Sequence, residues 1–107
     1  SWVVFECHSY SRFVTYLKEF AESLSLFDHI ILADIYAARE TNTIDASEED
    51  LVGLLKENQK DAIHISSYEK IKDYLKERVK KEDVIITMGA GNITKLAEIL
   101  VKEKEQR

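Results

Sequence analysis

Apolar positions in this chain form short continuous runs that alternate with longer, spaced stripes. The runs predict strands over residues 2–7, 30–33, 62–65 and 84–87. The run at 30–33 is continuously apolar, the pattern of a strand covered on both faces in a parallel sheet. Between the runs, apolar residues recur at helical spacing. Phe13, Leu17, Phe20, Ala21 and Leu24 make one stripe, with Thr15, Lys18, Glu19 and Glu22 facing away, in a helix from residue 12 or 13 to 25. A second helix begins after Ser47, an N-cap followed by Glu48, Glu49 and Asp50, carries Leu51, Leu54 and Leu55 inward, and ends near Asn58. A third turns Ile71, Leu75 and Val79 inward with Tyr68 and Tyr74 at its margins. Ser66 and Glu69 have the spacing of a capping box at its start, and Lys80 and Lys81 suit its C-terminal end. The last repeats Ile93, Leu96, Ala97, Leu100 and Val101, and the charged tail from residue 102 is expected to fray.

The order βαβαβαβα predicts an α/β fold: a Rossmann-like three-layer domain, its mostly parallel sheet of about four strands flanked by helices on both faces. The favoured strand order is 3-2-1-4, with the first strand inside and a switch point between strands one and four. A length of 107 residues suits a single domain spanning 1–107. The chain opens almost directly on a strand that reads as buried, which points to a piece of a longer protein.

Charge and composition narrow the function classes. A net charge of −5 without a basic cluster argues against nucleic acid as a partner. No apolar run approaches the roughly 20 residues that span a bilayer, and no signal peptide is evident, so no membrane partner and a cytoplasmic location are expected. Cys7 is the only cysteine, which excludes an intramolecular disulfide and suits the same compartment. The absence of proline excludes a Pro-rich linker.

Candidate chemistry gathers where strands end. Ligands of open α/β sheets bind outside the carboxyl ends of the strands. The segment Glu6-Cys7-His8-Ser9-Tyr10-Ser11-Arg12 leaves the first strand there. His8 and Tyr10 can donate or accept, and Arg12 can grip a carboxylate or phosphate with two parallel bonds. The plainer alternative is a solvated loop with an ordinary helix start. The loop over residues 34–45, with Asp34, Tyr36 and Arg39, leaves the same edge. Gly89-Ala90-Gly91-Asn92 offers backbone N–H groups to an anion, or is simply a tight turn for helix packing. It falls short of the dinucleotide fingerprint, and no Walker-type phosphate loop occurs, so a nucleotide must be held mainly elsewhere. Cys7 and His8 are adjacent and point to opposite sides, so Cys7 reads as a core residue rather than a nucleophile. His29 and His64 read as structural, and no spacing suggests a metal site. A phospho-receiver would need an acidic pair where Cys7-His8 stands.

Three of these segments, in order, resemble one family. Residues 3–12, with His8, Tyr10 and Arg12, are similar to the His-x-Tyr-x-Arg segment of the Mur ligases that add L-alanine to UDP-N-acetylmuramate. Asp34-Ile35-Tyr36-Ala37-Ala38-Arg39-Glu40 resembles their loop after the next strand, and Gly89-Ala90-Gly91-Asn92-Ile93 the turn before their last helix. The resemblance covers nearly the whole chain but only the family's C-terminal, amino-acid-binding domain. Many members carry Arg where this chain has Ser9. Their Asp-Asp-Tyr-x-His-His-Pro segment, which lies just before the first strand, is missing, as are the central and N-terminal domains.

The resemblance implies part of an ATP-dependent amide ligase of peptidoglycan biosynthesis, inactive on its own. In it, the amine of L-alanine attacks an acyl phosphate of UDP-N-acetylmuramate. ATP and Mg2+ would be held mainly by the missing central domain. Arg12 would pair with the alanine carboxylate or a phosphate oxygen, and His8 and Tyr10 would orient the amine or bond to the acyl-phosphate region. Asp34, Tyr36, Arg39, Gly89, Gly91 and Asn92 are candidate nucleotide or interdomain contacts. The competing reading is a free-standing Rossmann-like module that binds a small anion or a protein without catalysis.

Overall fold

The computed structural model describes residues 1–36 and 41–89. They form a four-stranded parallel sheet from β1 (Trp2–Phe5), β2 (His29–Leu32), β3 (Asp61–His64) and β4 (Ile85–Met88), in the order β3-β2-β1-β4. The expected order 3-2-1-4 is therefore the observed one. Helices α1 (Tyr10–Thr15), α2 (Leu17–Leu24), α3 (Glu48–Glu57) and α4 (Tyr68–Arg78) connect the strands.

The period-two pleat of the strands sorts the core into two layers. Val3, Phe5, Ile30, Leu32 and Ala62 face one side and pack on Phe13, Ala21, Leu24, Leu51 and Leu55 from the first three helices. Trp2, Val4, Ile31 and Ala33 face the other side and pack on Ile71 and Leu75 of α4. Crossovers of one hand account for this division. The steps β1 to β2 and β2 to β3 move the same way across the sheet, so α1, α2 and α3 share a face. The step from β3 to β4 returns across the sheet, so α4 lies on the other face.

Several boundaries differ from the sequence expectation, each for a local reason. The first helix starts at Tyr10, because the Ser9 hydroxyl accepts from the Arg12 N–H at 3.2 Å and caps it. It is also not continuous to residue 25. Tyr16, at φ −107° and ψ 24°, separates α1 from α2. The predicted stripe survives the break: Phe13, Ala21 and Leu24 are buried, and Leu17 and Phe20 pack against the same cluster. Ser67, not Ser66, caps α4 and accepts from the Lys70 N–H at 3.3 Å, so Glu69 is not in capping-box position. Ser47 caps α3 as expected, and Asn58 ends it. β2 and β3 start one residue before their apolar runs, at His29 and Asp61, whose side chains pair at 2.7 Å on the sheet's amino-terminal edge. His29 also stacks on Trp2, with ring centroids 4.2 Å apart, in the structural role expected of it. The helix expected over 93–101 and the tail lie outside the described residues.

The cap assignment can be measured directly. Ser67→Ala should cost about 1 kcal/mol, the typical worth of a serine N-cap. Ser66→Ala should stay within about 0.5 kcal/mol, as an exposed substitution without such a role does. Urea unfolding of the two variants beside the parent separates the alternatives.

Candidate functional site

The carboxyl edge of the sheet is built by the segments that leave β1, β2 and β3. After Phe5 the chain keeps strand-like pairing for a further step, with the Glu6 N–H donating to the Met88 carbonyl at 3.0 Å. The chain leaving β2 runs beside it: the Tyr36 N–H donates to the Cys7 carbonyl at 2.8 Å. This puts the Tyr36 ring edge-on to His8, with centroids 5.6 Å apart. Cys7 itself is buried in the first core layer, as its place in the pattern predicts.

Glu6 is the one buried charged side chain among the described residues, at 4% exposure. Such a carboxylate needs donors, because an unpaired buried charge is strongly disfavoured. It has two. His8 Nε2 lies 3.2 Å from Oε1, and the Tyr68 hydroxyl, from the first residue of α4, donates to Oε2. Burial, and then the Glu6 carboxylate, push the Tyr68 phenol above its ordinary value. Tyr68 therefore stays protonated and keeps donating.

A second set of contacts lies beside the first. His64 Nε2 is 2.6 Å from Asp34 Oδ1, and its Nδ1 is 3.6 Å from Glu49. The Ile35 N–H donates to Glu48 at 3.0 Å. Between the two sets is an open cleft of about 190 Å³, with Glu6, Asp34, Tyr36, Ser66 and Tyr68 as its polar lining and Ile35, Ile65 and Ile71 as apolar wall. Asp34, Glu48 and His64 bring ligand-type atoms within 4.8 Å of one another, the set a divalent cation would use. Each of the three already has a hydrogen-bond partner, so their arrangement is accounted for without an ion.

The expected site residues divide among these surroundings. His8 stands at the margin of the cleft with its side chain 34% exposed. Asp34 and Tyr36 line the cleft. Tyr10 occupies the first position of α1 and packs against the first core layer, away from the cleft lining. Arg12 is exposed on the first turn of α1, with no ion pair among the described residues. Ser9 is used as a helix cap and also bonds the Ser11 hydroxyl at 2.9 Å. Gly89 follows β4 directly, and the pairing of Phe5 with Met88 sets it beside the segment that leaves β1. Arg39, Gly91 and Asn92 lie outside the described residues.

Sequence reasoning missed Glu6 and Tyr68 as site residues, while His64, read as structural, bonds Asp34. A carboxylate directly continuing a buried apolar run was a usable signal for Glu6. Nothing local marks Tyr68, which is far from Glu6 in sequence and meets it only because α4 crosses the second face. Asp34, Glu48 and His64 likewise come from three separate elements and make no motif.

A parallel sheet with helices on both faces and polar side chains gathered at its carboxyl edge places the domain in the doubly wound α/β class. No protein-family model matches the chain. Individual relatives do. The chain is 46% identical over 101 residues to the UDP-N-acetylmuramate–L-alanine ligase of Lachnospira eligens, an alignment covering 94% of this chain and 22% of that protein. It is 44% identical over 99 residues to the enzyme of the same name from Agathobacter rectalis, covering 92% and 22%. With that of Caldanaerobacter subterraneus subsp. tengcongensis it shares 42% over 103 residues, covering 96% and 22%. The chain belongs to the Mur ligase family and spans 22% of the length of these relatives.

Gly89 supplies a test of the edge geometry. Its φ of 140° is a backbone conformation that residues with a Cβ rarely adopt. Gly89→Val should therefore cost more than about 1 kcal/mol. A thermal melt unchanged by the substitution would show that the turn after β4 does not need this conformation.

Proposed function

We propose that this chain is the amino-acid-binding C-terminal domain of an ATP-dependent ligase that joins L-alanine to UDP-N-acetylmuramate in peptidoglycan biosynthesis. The observation that carries the reading is identity above 40% to three ligases of that name, across nearly the whole chain. In the full-length enzyme ATP would supply the phosphoryl group that activates the sugar-nucleotide carboxylate, with Mg2+ offsetting charge. The described residues carry no phosphate loop, and Asp34, Glu48 and His64, whose ligand-type atoms lie close together, are already hydrogen-bonded within the chain. We assign ATP and Mg2+ mainly to the parts of the enzyme beyond this chain.

The work assigned to this chain is positioning. Arg12 sits near the amino end of α1, where the helix dipole gives a cation no benefit. Its exposed guanidinium is suited to a carboxylate or phosphate oxygen, which it can hold by two parallel N–H bonds. We assign it the L-alanine carboxylate. His8, at the margin of the cleft, then faces the amine end of the same small substrate, with Tyr10 supporting the segment from the first turn of α1. Asp34, Tyr36 and Gly89, together with Arg39, Gly91 and Asn92, are assigned to contacts with the nucleotide or the neighbouring domain. Closure of this edge over the activated carboxylate would exclude water, which otherwise competes with the amine as nucleophile.

Arg12→Lys in the full-length enzyme tests the assignment. Lysine keeps the charge but loses the planar two-pronged grip. Loss of one charge-assisted bond should raise the Michaelis constant for L-alanine, or lower turnover, about tenfold to a hundredfold. The melting temperature should barely move, since Arg12 makes no ion pair within the described fold. Unchanged steady-state kinetics would remove Arg12 from the site.

A further inference from the structure

His8 has two ring nitrogens, and its neighbours determine which of them is free for the amine end of the substrate. Glu6 occupies one. Its carboxylate is 4% exposed, and its two oxygens are taken up by His8 and by Tyr68. A carboxylate can only accept, so the His8 nitrogen facing it, Nε2, is the one that carries the proton. Tyr68 donates to the other oxygen and holds the carboxylate in place. The Tyr36 ring, edge-on at 5.6 Å, restricts the imidazole from a further side. Nδ1 has no hydrogen-bond partner among the described residues, and the side chain is partly open to solvent.

We propose that Glu6, held by Tyr68, is a positioning residue: it fixes His8 as the Nε2–H tautomer and leaves the Nδ1 lone pair as the acceptor for an N–H of the incoming amine. The inference rests on the reading of this edge as the amino-acid site, and deepens it. It assigns the acceptor atom, the group that orients it, and a reason for a buried carboxylate beside an apolar core. The logic is that of any base held in one tautomer by a buried acid. The groups that face His8 are Glu6 from the end of β1 and Tyr36 from the chain after β2. Tyr68 of α4 acts through Glu6.

Glu6→Gln is the informative substitution because Tyr68 dictates how the amide sits. The phenol donates, so it selects the amide oxygen, and the amide NH2 is left facing His8. A donor at that place requires Nε2 to accept, which moves the ring proton to Nδ1. The expected result, from long-range 15N–1H correlation spectra of this 107-residue chain, is an Nε2–H imidazole for His8 in the parent. Glu6→Gln should shift it to Nδ1–H, and Tyr68→Phe should retain Nε2–H. In the full-length enzyme, Glu6→Gln should lower turnover about tenfold to a hundredfold, the lower range for a positioned acid–base group, with a much smaller change in the Michaelis constant for L-alanine.

An Nδ1–H tautomer in the parent, or a tautomer unaffected by Glu6→Gln in a variant whose spectrum shows it folded, would overturn the proposal. Should Glu6→Gln fail to fold, the parent spectrum alone decides between the tautomers. The expected tautomers with wild-type turnover in Glu6→Gln would also overturn it, by showing that the reaction does not use Nδ1. Failure of the ligase reading itself looks different: the full-length parent would not join L-alanine to the sugar nucleotide, while the tautomer measurement would still stand or fall alone.

Discussion

Everything at the carboxyl edge depends on β1 being covered on both faces and both sides. Val3 and Val4 point to opposite layers, and each is fully buried. β1 is hydrogen-bonded to β2 on one side and β4 on the other. A strand enclosed in this way cannot slip register without turning its apolar residues the wrong way. The residue next in the chain is therefore delivered to a fixed place. Glu6 can be a buried carboxylate because the strand before it leaves no freedom, and because α4 brings a phenol over the second layer to meet it.

The two core layers have different relations to that edge. The first, with α1 to α3, is the larger, and it fixes the segment from Cys7 to Arg12 through Cys7, Tyr10 and Phe13. The second is smaller, and α4 is its only helix among the described residues. It contributes Tyr68. The cleft is lined by the segments that leave β1, β2 and β3 and by Tyr68 and Ile71 of α4.

Much of the fold was legible in the sequence because burial writes itself as periodicity. Continuous apolar runs marked the strands, helical stripes marked Phe13, Ala21 and Leu24 or Leu51 and Leu55, and the alternation of the two implied parallel pairing. Helix starts were less legible. Ser66 and Ser67 are adjacent hydroxyls, and a one-residue difference in where the strand releases the chain decides which becomes the cap. The break at Tyr16 leaves no mark in the apolar stripe, which continues through it. At the site, His8 and Arg12 were visible as polar residues after a strand. Tyr68 and His64 were not, since they meet Glu6 and Asp34 through tertiary contacts that no local spacing records.

The Ser67 cap and the Tyr68 hydroxyl belong to consecutive residues. The first turn of α4 is thus both a helix terminus and a wall of the cleft. Fraying there, which elsewhere costs a domain little, would here release the phenol and expose the carboxylate beneath it to water. Local order of one helical turn and electrostatic order of the cleft are a single cooperative unit. Changes remote from the cleft that tighten or loosen the start of α4 would be felt as a change in solvent access to Glu6, with no residue of the cleft altered.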